Sequence, residues 1–248
     1  MRIVCIADTH GLHGQFGLPD GDVLIHAGDS CNTGNKGDVV RFAKWLGKLP
    51  HQWKIVIAGN HDWFFQKQPD FARSYIEQNA IYLQDSGCEI EGLKFWGSPW
   101  QPWFMDWAFN LPRKGARLRE MWNQIPFDTD VLITHCPPHS ILDEVHPRIG
   151  GWDLEQQKGS GPLGCEELAI RLKAVCPKLH VFGHIHDSYG HLVKDGTTYV
   201  NASICDENYR PINRPVVLDV DVVEGQPKFA IIPPKVRKPK ERISKEEL

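Results

Sequence analysis

The chain has 248 residues, 41% of them hydrophobic and 24% charged, with a formal net charge of −3. That is enough apolar material for one large buried core, and the near-neutral balance excludes a bulk nucleic-acid binder or a basic membrane-surface protein. The seven cysteines (5, 31, 88, 136, 165, 176 and 205) are odd in number, irregularly spaced and without a CxxC pair, so they read as buried reduced thiols rather than a disulfide framework or a zinc knuckle.

In chain order, the first apolar run is Ile3 to Ala7, too short for a signal-peptide core, and it leads directly into Asp8-Thr9-His10. Val23 to Ala27 ends in Gly28-Asp29. Val39, Phe42, Ala43 and Leu46 then fall on one helical face. Lys54 to Ala58 ends in Gly59-Asn60-His61-Asp62, and Val131 to Thr134 ends in His135. Leu168, Leu172 and Val175 mark another helical face, closed by Pro177. Leu179 to Phe182 ends in Gly183-His184-Ile185-His186. Continuous apolarity predicts strands buried on both faces, and strand–helix alternation predicts an α/β layered domain. Thr198 to Ala202, Val216 to Val220 and Phe229 to Ile232 follow as strands without helices, which predicts a second, more antiparallel sheet. The domain is expected to span 1–232. Residues 233–248, rich in Pro, Lys and Glu, read as a mobile charged tail. No apolar stretch is long enough for a transmembrane helix, and a cytoplasmic location is the expectation.

The five motifs share one property: each follows a strand and offers oxygen or imidazole ligands. Ligands at the carboxyl ends of α/β strands gather in one crevice. Residues i and i+2 at a strand end point the same way, as Asp8 and His10 do, and His184 and His186 again. Gly28 permits close backbone approach, and a carboxylate at Asp29 can bridge two ions with its two oxygens. Imidazole mixed with carboxylate and amide oxygen suits manganese, iron, cobalt, nickel or zinc better than magnesium or calcium. Any one motif alone reads as a turn or a surface pair; five in this order read as a site for two ions about 3.5–4 Å apart, the layout for attack on phosphorus.

At these residues the chain resembles the calcineurin-like metallophosphoesterase superfamily. It is most similar to the metallophosphoesterase-domain-containing (brain 239 type) subgroup, through Gly97-Ser-Pro-Trp-Gln-Pro-Trp-Phe, Trp107-Ala-Phe-Asn-Leu-Pro-Arg, Lys178-Leu-His-Val-Phe-Gly and Asn201-Ala-Ser. The resemblance implies a two-sheet β-sandwich flanked by helices, in four layers αββα. It implies one ion on Asp8, His10 and His186 and another on Asn60, His135 and His184, with Asp29 bridging. Some subgroup members carry glycine for one histidine of the Gly-His-x-His motif. This chain keeps both, which favours a competent enzyme over a metal- or nucleotide-binding regulatory module with weak turnover. Gly28-Asp29 continues as Ser30-Cys31-Asn32, not as the Asp-Arg-Gly of protein phosphatases, which argues against phosphoprotein substrates.

The expected reaction is hydrolysis of small phosphodiesters or cyclic nucleotides by direct attack of a metal-bridging hydroxide, with manganese the first choice of ion. The alternative is a small-molecule phosphomonoesterase. A nuclease would need a basic stripe that the sequence lacks. His61 is the expected general acid, with Asp62 fixing its ring and raising its basicity; simple packing is the competing reading for His61, and a cap or turn role for Asp62. Trp96, Trp100, Trp103, Phe104, Trp107 and Phe109 read either as a wall that stacks a flat leaving group or, preferably, as a self-packed loop. Arg113 and Arg117 read as solvated helix residues sooner than phosphate ligands. His26 reads as a packed residue or one behind the ligands, and His139, His146 and His180 carry no special signal. The expected partner is a small phosphoester or nucleotide, with no membrane and no protein partner evident.

Overall fold

A computed structural model describes residues 1–145, 161–223 and 225–233. His146 and the expected charged tail, apart from Pro233, lie outside the described residues. Two six-stranded sheets pack face to face. The first runs, edge to edge, through Gln226–Ile232, Val216–Val223, Arg2–Ile6, Val23–Ala27, Trp53–Ile57 and Ile81–Tyr82. The second runs through Gly190–Lys194, Thr197–Asn201, Leu179–Phe182, Val131–Thr134, Leu93–Ser98 and Ser86–Ile90.

The apolar runs are continuous because both faces of each central strand are buried. Along Arg2–Ile6, Ile3 and Cys5 join Ile25, Ile55 and Ile57 in the layer between the sheets, facing Phe95, Ile133 and Val181 of the second sheet. Val4 and Ile6 point the other way, under Phe42 and Leu46 of the helix Lys36–Leu46. On the outer face of the second sheet, Leu132 and Phe182 pack against Leu118 and Trp122 of Ala116–Asn123 and Leu168 and Leu172 of Glu166–Val175. The period of two along a strand thus divides one apolar run between two cores, and the result is the expected αββα layering. Among the described residues, no helix is long and apolar enough to cross a membrane.

The late strands do not build the expected second, more antiparallel sheet of their own but divide between the two sheets. Thr197–Asn201 pairs parallel with Leu179–Phe182 inside the second sheet, while Val216–Val223 pairs antiparallel with Arg2–Ile6, Arg2 opposite Asp219 and Cys5 opposite Val216. The physical reason is that a parallel core leaves unpaired N–H and C=O groups at its open side, and the late strands satisfy them on both sheets. The cysteines are all free, but Cys176 is exposed at the helix C-terminus, contrary to the reading of buried thiols throughout.

The two sheets meet at the carboxyl end of the first strand. Ala7 N–H donates to the Ala202 carbonyl at 2.8 Å and Ile204 N–H to the Ala7 carbonyl at 2.9 Å. Across the same end, Gly183 N–H reaches the His135 carbonyl at 3.1 Å and Asp8 N–H the Gly28 carbonyl at 3.0 Å. The strand ends of both sheets are therefore stitched around one crevice.

Candidate metal centre

All seven candidate ligands converge in that crevice, and all are buried or nearly so. Four of them leave their strands with a left-handed backbone: Asp8 at φ 52°, His10 at 43°, Asp29 at 53° and His184 at 71°. Non-glycine residues seldom take this conformation, which costs on the order of 1–3 kcal/mol each. The surrounding hydrogen bonds hold them there and turn each side chain inward. Two glycines make room: a Cβ at Gly183 would overlap Asp8 Oδ2, and one at Gly59 would overlap Asp29 Oδ1.

Atoms of Asp8, His10 and His186 that can ligate lie within 4.8 Å of one another, and so do those of Asp8, Asp29 and His135. His10 Nε2 is 3.2 Å from His186 Nε2. Asn60 Oδ1 is 2.8 Å from both His135 Nε2 and His184 Nδ1. Asp29 Oδ2 lies 3.4 Å from His135 Nε2 and 3.9 Å from His10 Nε2, between the two groups. The first of the two expected ligand sets is thus brought together directly, and the second through Asn60.

The orientation of two rings tests whether a cation fits. His135 Nδ1–H donates to the Ala27 carbonyl at 3.0 Å, and His186 Nδ1–H to the Asp206 carbonyl at 2.9 Å. Each inner Nε2 is thereby turned to the other candidate ligands: His135 Nε2 to Asn60 Oδ1 and Asp29, His186 Nε2 to Asp8 and the His10 ring. Backbone carbonyls that fix the outer N–H are the usual brace of metal-binding histidines. The site fits divalent cations of the imidazole-tolerant kind.

Charge at the centre follows the same geometry. Burial would lift the Asp8 carboxyl, but His186 beside it, with His135, holds it well below the usual carboxylate range. Burial likewise opposes ionised Asp29, and the charges of His135 and His61 overcome it. Burial disfavours imidazolium at His135, yet Asp29 raises its pKa to about 9. For His10 and His184 burial prevails and pushes each down to about 3. His186 is raised by Asp8.

His61 sits at the rim of this group. Its N–H donates to Asp29 Oδ1 at 2.8 Å, and its ring Nδ1 lies 2.7 Å from the Asn32 carbonyl. A ligating atom of His61 lies within 4.8 Å of those of His10 and Asp29. Asp62 does not hold the His61 ring, contrary to expectation. Its buried carboxylate accepts from Gly59 N–H at 2.8 Å, Cys31 N–H at 2.9 Å and the Ser30 hydroxyl at 3.0 Å. The helix starting at Trp63 turns Asp62 away from its neighbour, so it ties the Gly28-Asp29 loop to the Gly59-Asn60 loop.

Several supporting residues carry no local signal. The Ser203 hydroxyl lies 2.6 Å from Asp8 Oδ2, and His184 N–H is within 3.1 Å of both Asp8 oxygens. His26 Nε2 meets Thr9 Oγ1 at 2.9 Å and His180 Nε2 meets Thr134 Oγ1 at 2.8 Å. Each of these buried strand histidines latches a threonine adjacent to a ligand, and each is kept neutral by burial, down to about 3. Tyr209 places its ring edge-on to His10 at 4.7 Å and His186 at 5.4 Å. The aromatic stretch divides between its two readings: Phe109 is buried in the core and Trp100 packs against it, while Trp103 is exposed and Trp107 stacks on His61. Arg113 is half-exposed, ahead of the helix and away from the centre, and bonds the Leu163 and Gly164 carbonyls and Glu166. Arg117 is exposed on its helix, and His139 meets its own neighbour Ser140.

The chain is also similar to known proteins in sequence and in fold. Residues 1–188 match the family model described as calcineurin-like phosphoesterase. The human "Metallophosphoesterase domain-containing protein 1" is 44% identical over 244 residues, covering 88% of this chain and 71% of the relative. A UPF0046 protein of Caenorhabditis elegans is 38% identical over 246 residues, covering 92% and 84%. One crystal structure superposes with a TM-score of 0.61 at 16% identity, covering 93% of this chain and 98% of the other. A protein of Thermus thermophilus, TT1561, superposes at 0.50 and 15%, covering 81% and 88%. These structural likenesses speak to the fold, whereas the matched span and the sequence relatives show that this chain belongs to the calcineurin-like phosphoesterase family.

Proposed function

We propose that the protein is a two-ion phosphodiesterase acting on small diesters, cyclic nucleotides among them, with manganese its first-choice metal. The observation that supports this most is the pair of braced imidazoles, His135 and His186, whose outer N–H groups are fixed by backbone carbonyls and whose inner nitrogens point at the other candidate ligands. Asp8, His10 and His186 would hold one ion and Asn60, His135 and His184 the other, with Asp29 between them. Two such ions supply charge neutralisation at the phosphoryl oxygens and a water of lowered pKa.

The residues of the chain do the rest. The buried ligand shell excludes bulk water and orients the phosphate. In the hydrolysis a water oxygen forms a bond to phosphorus as the opposite P–O bond breaks. The leaving oxygen takes a proton from Nε2 of the doubly protonated His61 ring, and the proton that the attacking water releases restores that ring for the next cycle. With Nδ1–H committed to Asn32, His61 uses Nε2 as its donor.

The test is hydrolysis of bis-nitrophenyl phosphate beside nitrophenyl phosphate, on metal-stripped protein with manganese restored. Preference for the diester supports the proposal. Preference for the monoester moves the assignment to a small-molecule phosphatase, and no turnover of either with metal bound moves it to a binding module. A second reading has a specific observation behind it: the closeness of His61 to His10 and Asp29 suits a further ligand. His61→Ala with undiminished metal content argues against that role.

A further inference from the structure

Trp107 lies in the loop between the short strands Gln101–Pro102 and Asn110–Leu111. Its indole stacks on the His61 imidazole, with ring centroids 4.1 Å apart and planes inclined by 25°. The backbone fixes this placement. Ala108 N–H donates to the carbonyl of Asn60 at 3.1 Å, and Phe109 N–H to Gln66 Oε1 at 3.1 Å. The loop is therefore docked on the same turn that carries His61. Asn32 secures the ring at Nδ1, and His10 meets it edge-on at 4.6 Å. Rotation of the His61 ring would break the Asn32 bond and the indole stack together. The neighbouring carboxylate, Asp62, is occupied elsewhere.

We infer that Trp107 is a positioning residue: it holds the plane of His61 so that Nε2 is aimed at the leaving oxygen, the task otherwise given to a carboxylate partner. The inference rests on the reading of His61 as proton donor. It also assigns a purpose to the loop: Trp107 acts through His61, not on the substrate.

The experiment compares His61→Ala, Trp107→Ala, Trp107→Leu and Trp107→Phe, and the double variant lacking both rings. Each is assayed on a diester with an alkoxide leaving group and on one with nitrophenolate, with metal content measured throughout. Trp107→Leu keeps apolar bulk without a stacking face, so it guards against loss of the fold. His61→Ala is expected to slow the alkoxide diester by about 10²–10⁴, and nitrophenolate less. Trp107→Ala and Trp107→Leu are expected to lower kcat on the alkoxide diester by about 10- to 100-fold, with KM and metal content unchanged. Trp107→Phe recovers most of that loss, and Trp107→Ala adds nothing once His61 is gone. A further loss in the His61→Ala background, or full kcat in Trp107→Leu, overturns the positioning role.

A second readout needs no metal and no turnover. In the metal-free protein the indole face shifts the His61 ring protons upfield in the NMR spectrum. Trp107→Ala and Trp107→Leu remove that shift, and Trp107→Phe reduces it. If His61→Ala slows both leaving groups equally, the proton-donor reading fails by itself. An unchanged His61 resonance in Trp107→Leu then overturns the orientation of His61 by Trp107 independently.

Discussion

The backbone N–H of His61 donates to one oxygen of Asp29 at 2.8 Å, while the other oxygen of Asp29 faces the His135 ring at 3.4 Å. One carboxylate thus links the proposed proton donor to the proposed metal ligands. Asp29→Asn keeps the shape and removes the charge. Its expected effect is loss of bound metal together with activity, read by elemental analysis of the purified protein; full metal stoichiometry in this variant would rule out a bridging role.

Asn60→Ala and His184→Ala probe the second ligand group, since Asn60 Oδ1 is the atom that joins His135 to His184. Both variants should lose metal and turnover in parallel. Full activity with one ion missing would refute the two-ion mechanism. Chelation should abolish turnover, and manganese should restore it better than calcium, because imidazole ligands suit the former.

Asp62 makes a different prediction. Its carboxylate satisfies Gly59 and Cys31 N–H and the Ser30 hydroxyl inside the protein. Asp62→Ala strands those donors, at about 1–3 kcal/mol for each one left unsatisfied. A large fall in Tm is expected, with the ratio of rates on good and poor leaving groups unchanged. A shift in that ratio without loss of stability would restore Asp62 as the partner of His61.

The pH dependence turns on His135. Its imidazolium is raised to about 9 in the folded metal-free protein, against about 6.5 in an unfolded chain. A raised basic group stabilises the fold while protonated. That contribution is complete below pH 6.5 and is lost as the pH climbs to 9, about 3 kcal/mol in all. Metal displaces this proton, so its binding strengthens over the same interval. Thermal melts at pH 6.5 and 9 should show the metal-free protein weakening while the gap to the metal-saturated protein widens. A metal-free Tm that rises across this interval, or an unaltered slope in His135→Gln, contradicts the assignment.

Gly183 offers a steric test. A methyl group there overlaps Asp8 Oδ2, and the left-handed His184 that follows depends on bonds from its N–H to Asp8. Gly183→Ala should cost metal affinity although every ligand is retained, measured by titration with manganese; wild-type affinity would show that the crevice yields.

Much of this site was legible because its ligands end apolar runs, and apolar runs are what a doubly covered sheet requires. Asp8, Asp29, Asn60, His135 and His184 all follow strands at the positions the pattern suggests. Strand pairing was not legible. Nothing local in Thr197–Asn201 or Val216–Val223 says which sheet will take it, because edge hydrogen bonds are offered by partners far away in sequence. Adjacency also misled: His61 and Asp62 are neighbours in the chain, but the helix beginning at Trp63 sends their side chains to different tasks. The stack of Trp107 on His61 and the latches from His26 and His180 are tertiary contacts, and composition alone reads such residues as core.

The stitching of Ala7 to Ala202 and Ile204 has a consequence for the boundaries of the functional unit. A chain cut after Ser188 would retain every candidate ligand and the whole span matched by the family. It would lack the Ser203 hydroxyl on Asp8, the Asp206 carbonyl that braces His186 and the Asn201 amide on the Ile185 carbonyl at 2.8 Å. It would also lose the strands that flank Leu179–Phe182 and Arg2–Ile6. The segment without a single candidate ligand is the clasp that keeps the ligands of the other segment in register.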